Sequence, residues 1–201
     1  GSAPVALRDS GADIVPGSSR PLHFGGETSL VLHPGVVVYS DPVNFEVAPL
    51  EEVVVSLYLS GEAGNPTTHP LGLRDTYLSP PGDFTDSVSF APVDTTRSYY
   101  WLAGVDVAAP QDAFAIVAIG NSITDGAVST PNEDRDWPSR LAQRLAADPQ
   151  TRNVGIVNAG ISGNRVLSDA AGVSVLARLD RDALSYSGAE WLVFMEGIND
   201  I

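Results

Sequence analysis

Apolar and polar positions change rhythm about halfway along the chain. Up to residue 107 the apolar residues come in short runs separated by Pro and Gly. Residues 28–33 and 36–39 flank the turn signal His33-Pro34-Gly35, residues 43–47 alternate, residues 53–59 are rich in β-branched and aromatic side chains, and residues 99–107 close the series. Such runs between turn residues predict strands, and no stripe of helical period interrupts them. Short strands at this spacing predict an antiparallel β-sandwich, jelly-roll-like, over residues 1–110. Residues 61–81, dense in Gly, Pro and Thr, read as a long loop.

After Ala108-Ala109-Pro110 the pattern lengthens. Residues 114–119 are continuously apolar, as expected of a parallel strand covered on both faces. Asp136 is placed to cap a helix with Pro138 in its first turn, and Trp137, Leu141 and Leu145 recur along one face of it. Residues 154–158 read as a second strand, Val173, Leu176, Leu179 and Ala183 as a second helical stripe, and residues 191–195 as a third strand. This β-α-β-α-β order over residues 111–201 predicts right-handed crossovers and a parallel sheet. Its strand ends carry Gly120-Asn121-Ser122, the segment from Asn158, and the segment from Glu196. Open α/β sheets bind ligands along that edge, so the three polar, glycine-bearing segments are expected to converge.

Ser122 is the candidate nucleophile. Gly120 permits a tight turn before it, and a following helix would aim backbone N–H groups at developing negative charge. Gly163 can bring its N–H close to the serine, and Asn199 can donate its side-chain amide. With the Ser122 N–H, these make three donors for one oxyanion. The plainer alternative is that all three residues serve only turns and loops. The segment is neither the G-x-S-x-G elbow nor a G-x-G-x-x-G loop.

At these residues the sequence resembles the SGNH (GDSL) hydrolases. Gly120-Asn121-Ser122-Ile123-Thr124, Gly163 within Ile161-Ser162-Gly163-Asn164, and Gly197-Ile198-Asn199-Asp200 are similar to three blocks of that family, in order and at suitable spacing. The resemblance implies a flavodoxin-like three-layer α/β/α fold, incomplete in this chain, and ester hydrolysis without metal or other cofactor. It implies Ser122 as nucleophile, with Ser122 N–H, Gly163 N–H and Asn199 as the oxyanion hole. Asn121, Asn164 and Arg165 are candidate substrate-binding residues. The family usually has aspartate where Asn121 stands, and its Asp-x-x-His block occurs nowhere in this sequence. The catalytic Asp and His are therefore expected from a further C-terminal segment or second chain of the same polypeptide. Otherwise the last strand would expose an apolar edge. His23, His33 and His69 lie in the strand-rich part and are read as structural, and Asp125, Glu133, Asp134 and Asp136 as a solvated acidic loop with one helix cap.

Composition narrows the picture. The net charge is −14 and the eleven basic residues are all arginine, so the cationic face that nucleic acid requires is not expected. The acidity reads as solubility, or as a preference for neutral or cationic substrates. Cysteine is absent, which removes disulfides, thiolate metal sites and a cysteine nucleophile. No run approaches the roughly 20 apolar residues of a membrane span. A sandwich ahead of such a hydrolase resembles the layout of some carbohydrate esterases. An acylated carbohydrate or short-chain ester is thus the expected substrate, and a secreted or periplasmic location is expected, with the cytoplasm left open. The rival reading is a non-catalytic glycan-binding protein with a degenerate hydrolase domain.

Overall fold

The computed structural model describes residues 2–201. In chain order its elements are β1 (Pro4–Leu7), β2 (Arg20–Pro21), β3 (Val53–Val55), β4 (Thr68–His69), β5 (Thr76–Leu78), β6 (Asp94–Thr96) and β7 (Tyr99–Tyr100). They continue with β8 (Phe114–Gly120), α1 (Ser122–Asp125), α2 (Trp137–Ala147), β9 (Val154–Gly160), α3 (Val175–Leu179) and β10 (Ala189–Met195). A π-helical turn at Asp180–Leu184 extends α3, and a 3-10 turn at Ile198–Asp200 follows β10. Among the described residues, no helix is long and apolar enough to cross a membrane.

The chain divides into two compact units, Gly1–Thr67 with Asp75–Thr96, and Thr68–Arg74 with Arg97–Ile201. In the first, β1 is central in a three-stranded antiparallel sheet of order β2-β1-β3, and β5 pairs with β6. Ala3, Val5, Ala6 and Ile14 form its buried apolar residues. The strands expected at 28–33, 36–39 and 43–47 are not formed, and Val31, Val37 and Tyr39 are largely exposed. A β-branched run becomes a strand only where a neighbour forms a ladder with it and covers one face, and no ladder forms over these runs. The run at 53–59 is regular only over β3, and that at 99–107 only over β7.

In the second unit, the expected parallel sheet is present. β8 is central, with β9 on one side and β10 on the other, both parallel to it. Numbering these strands by sequence, the order is 2-1-3, which sets the point of reversal between β8 and β10. The registers level the strand ends, because Gly120 pairs with Gly160 on one flank and with Met195 on the other. Val117 and Ile119 pack with Val175 and Ala183 in the core. Helix α2 begins as its sequence predicts, since Asp136 accepts from Ser139 N–H at 2.9 Å and Pro138 lies in the first turn.

The second helical stripe is displaced from its expected positions. Helix α3 buries Val175 and Arg178, while Leu176 is 67% exposed. The π turn inserts a residue's worth of rotation, so Ala183 returns to the core although Leu176 points away. β10 is an edge strand, with Trp191 65% and Phe194 51% exposed.

Candidate active site

All three polar segments lie where the parallel strands end. Asn121 follows β8 and caps α1, its Oδ1 accepting from Ile123 N–H at 3.1 Å. Ser122 is the first residue of α1 and is half-buried. Asparagine thus performs the capping that an aspartate would, without a charge.

The loop after β9 is drawn to α1 by several bonds. Asp125 Oδ2 accepts from Ser162 N–H at 2.8 Å and from the Ser162 hydroxyl at 2.5 Å. Asn158 Nδ2 donates to Thr124 O at 2.9 Å, and Ile161 N–H donates to Gly120 O at 2.8 Å. Gly163 then takes φ +78°, a conformation that disfavours residues with a Cβ. The loop after β10 joins the same group through Asn199 Nδ2, which donates to Asn164 O at 2.9 Å. Asp200 accepts from Val166 N–H at 2.9 Å.

Three donors remain available beside Ser122 and its neighbours. Among the described residues, the N–H groups of Ser122 and Gly163 donate no hydrogen bond, and the Ser122 hydroxyl has no partner. The Asn199 amide uses one of its two N–H groups on Asn164, leaving the other. Ser122, Gly163 and Asn199 therefore sit on three successive loops that are hydrogen-bonded to one another.

The remaining expected site residues differ in exposure. Asn121 is 2% exposed and Asn164 is 0% exposed. Asn164 donates to Val173 O at 2.8 Å and accepts from Arg178 Nε at 3.0 Å, so its amide is spent inside the protein. Arg165 is exposed.

Two charged clusters escape a reading by sequence. Asp125, expected in a solvated loop, is 7% exposed and bonded to His69 Nε2 at 2.7 Å as well as to Ser162. A short helix ahead of a glycine turns its carboxylate inward, where three donors compensate its burial. His69 stands on β4, which pairs with β7 within the same compact unit. The second cluster joins Arg178, 1% exposed, to Glu196, whose side chain is fully buried. Neither Glu196 oxygen reaches a partner at hydrogen-bond distance, and Arg178 Nη2 stands 3.9 Å from Oε1. Burial pushes the Glu196 carboxyl above its ordinary range, against opposing pulls from Asn121 and Arg178. For Asp182, burial acts upward but is outweighed by hydrogen bonds and charge from Arg181 and Arg178, so its carboxyl is held low. Among the described residues, no three His, Cys, Asp or Glu side chains gather as metal ligands.

The second unit is thus an open parallel α/β unit whose polar, glycine-bearing segments meet at the strand ends. Residues 118–201 match the model of the GDSL-like lipase/acylhydrolase family. Two solved structures are similar, that of AlinE4, an SGNH-hydrolase family esterase, and that of a mutant of the same esterase. Each is 24% identical over 46% of this chain and 44% of its own, with a TM-score of 0.35. The chain spans less than half the length of either. Comparison with curated proteins gave no match.

Proposed function

We propose that the chain carries the nucleophile and oxyanion half of a serine-dependent carboxylic ester hydrolase. In this reading Ser122 Oγ attacks the ester carbonyl and its proton passes to a histidine base. The tetrahedral oxyanion rests on Ser122 N–H, Gly163 N–H and the free N–H of Asn199. The alcohol leaves with the proton, and water then hydrolyses the acyl-enzyme. The observation that carries the reading is Ser122 at the end of the central strand, hydroxyl free, with two unbonded backbone N–H groups and a half-used amide on the loops joined around it.

The base, with its orienting acid, would come from further polypeptide of the same protein packed against the exposed apolar edge of β10. That addition would complete a three-layer α/β/α hydrolase domain, preceded in the chain by an N-terminal β-sandwich. An acylated carbohydrate or short-chain ester, met outside the cytoplasm, is the proposed substrate.

The test, on the protein that includes the base-bearing polypeptide, is labelling by a fluorophosphonate, with peptide mapping, beside turnover of p-nitrophenyl acetate. Labelling at Ser122 that disappears in Ser122→Ala supports the reading; turnover or labelling retained in Ser122→Ala refutes it. Loss of labelling in His69→Ala, with the fold kept, would transfer the base to the His69–Asp125 pair.

A further inference from the structure

Arg178 reaches all three strand ends at once. Its Nε donates to Asn164 Oδ1 at 3.0 Å, and its Nη1 donates to Ala159 O at 2.8 Å and to Asp182 Oδ2 at 3.2 Å. Its Nη2 donates to Gly120 O at 3.4 Å and faces Glu196 Oε1 at 3.9 Å. Each of these groups has a position that matters. Gly120 ends β8, immediately before the Asn121-Ser122 turn, and Ala159 lies one residue from the end of β9. Asn164 follows Gly163 and accepts Asn199 on its backbone carbonyl. Glu196 follows the last residue of β10.

A guanidinium presents five N–H groups in a fixed fork, and here there are five groups for them to address. Stability alone is a poor account of such a residue, because replacing a buried ion pair by apolar side chains is often neutral or favourable. A planar fork that ties three separate loops together does something an apolar residue cannot. It sets their mutual heights.

We propose that Arg178 is the positioning residue of this site, holding the ends of β8, β9 and β10 in the register that lets Ser122 N–H, Gly163 N–H and the Asn199 amide meet one oxyanion. The inference rests on the ester-hydrolase reading for its chemistry, though not for its geometry. Arg178 touches no reacting atom. Asn164 relays its effect, fixed through its side chain by Arg178 and holding Asn199 through its main chain.

The experiment uses the protein with the further polypeptide that supplies the base, carrying Arg178→Met or Arg178→Lys. Amide resonances in a ¹⁵N–¹H spectrum report position, and fluorophosphonate labelling resolved into kinact and KI reports reactivity. In Arg178→Met the resonances of Ser122, Gly163 and the Asn199 side chain should shift or broaden while those of Val117 and Val157 stay. A displacement near 1 Å should lower kinact by about 10²-fold, with KI changed by less than about threefold, whereas lost substrate contact would move KI. If Arg178→Met loses the interior resonances, Arg178→Lys, which keeps the charge but not the fork, carries the same readouts. Site resonances unmoved, or kinact at the wild-type value, would overturn the proposal. So would loss of the interior resonances in both variants, which would make Arg178 a folding residue. Absence of labelling in the wild-type chain would sink the ester-hydrolase reading instead, and the resonances would still decide the role of Arg178.

Discussion

Gly160→Ala probes how closely the nucleophile's helix is seated on the neighbouring strand. A Cβ at residue 160 would stand 2.7 Å from Asp125 Cα and 2.8 Å from Thr124 C, and closer still to Asp125 N. Carbon atoms pack best at about 3.5–4.0 Å, so α1 and the end of β9 must separate by roughly 0.8 Å or more. The atoms in the way are backbone, and no side-chain rotation relieves them. Overpacking of this kind costs about 1–3 kcal/mol, which lowers Tm by roughly 2–4 °C per kcal/mol in a protein of this size. The same separation displaces Ser122 from Gly163, and a misplacement near 1 Å costs about 10²-fold in rate. Thermal unfolding followed by circular dichroism gives the first quantity, and the rate of Ser122 labelling gives the second. The Ser162–Asp125 bonds cross the same seam, so hydrogen exchange at Ser162 N–H should rise as well. A variant as stable as wild type and labelled at the same rate would refute the close seating of α1 on β9.

Two further outcomes follow from the site. Asn199→Ala should lower kcat by about 10²–10³-fold if the amide donates to the oxyanion, and an unchanged kcat in steady-state ester hydrolysis would confine Asn199 to its bond with Asn164. Glu196→Gln tests the buried carboxyl, whose raised position means that its contribution to stability is present below the ordinary Glu value of about 4.3 and is lost as pH rises through the raised value. The glutamine variant should therefore melt higher than wild type at about pH 8 and converge with it at about pH 3.5, each kcal/mol relieved being worth roughly 2–4 °C; a lower Tm at about pH 8 would mean that attraction to Arg178 outweighs burial.

The parallel sheet and its strand-end segments were legible because their signals are local. An apolar run closed by glycine marks β8, and an aspartate before Trp137-Pro138 marks the start of α2, whatever the rest of the chain does. Other features depend on partners far away. His69 meets Asp125 across 56 residues, and nothing beside either residue announces the pair. Arg178 is hidden for a different reason, since charge in a helical stripe reads as solvent-facing, and only its four hydrogen-bond acceptors and the nearby Glu196 carboxylate make its burial tolerable. The π turn shifts the rest of that stripe, so Val175 lies inside where the sequence pattern points to Leu176. In the first unit, the valines at 31 and 36–38 carry strand propensity without a pairing partner, and propensity alone does not make a ladder.

The levelled register of β8 between β9 and β10 bears on how the protein assembles. Both partners of the central strand arrive much later in the chain, so neither ladder forms from local contacts, and non-local pairing of this sort is slow. Helix α1 and its asparagine cap need only neighbouring residues and can form early. The Gly163 donor reaches the serine when β9 docks, and the Asn199 donor only when β10 docks on the other flank. Serine reactivity should therefore appear at the end of refolding rather than grow with helix content, and its half-time would serve as a clock for the closing step of the sheet.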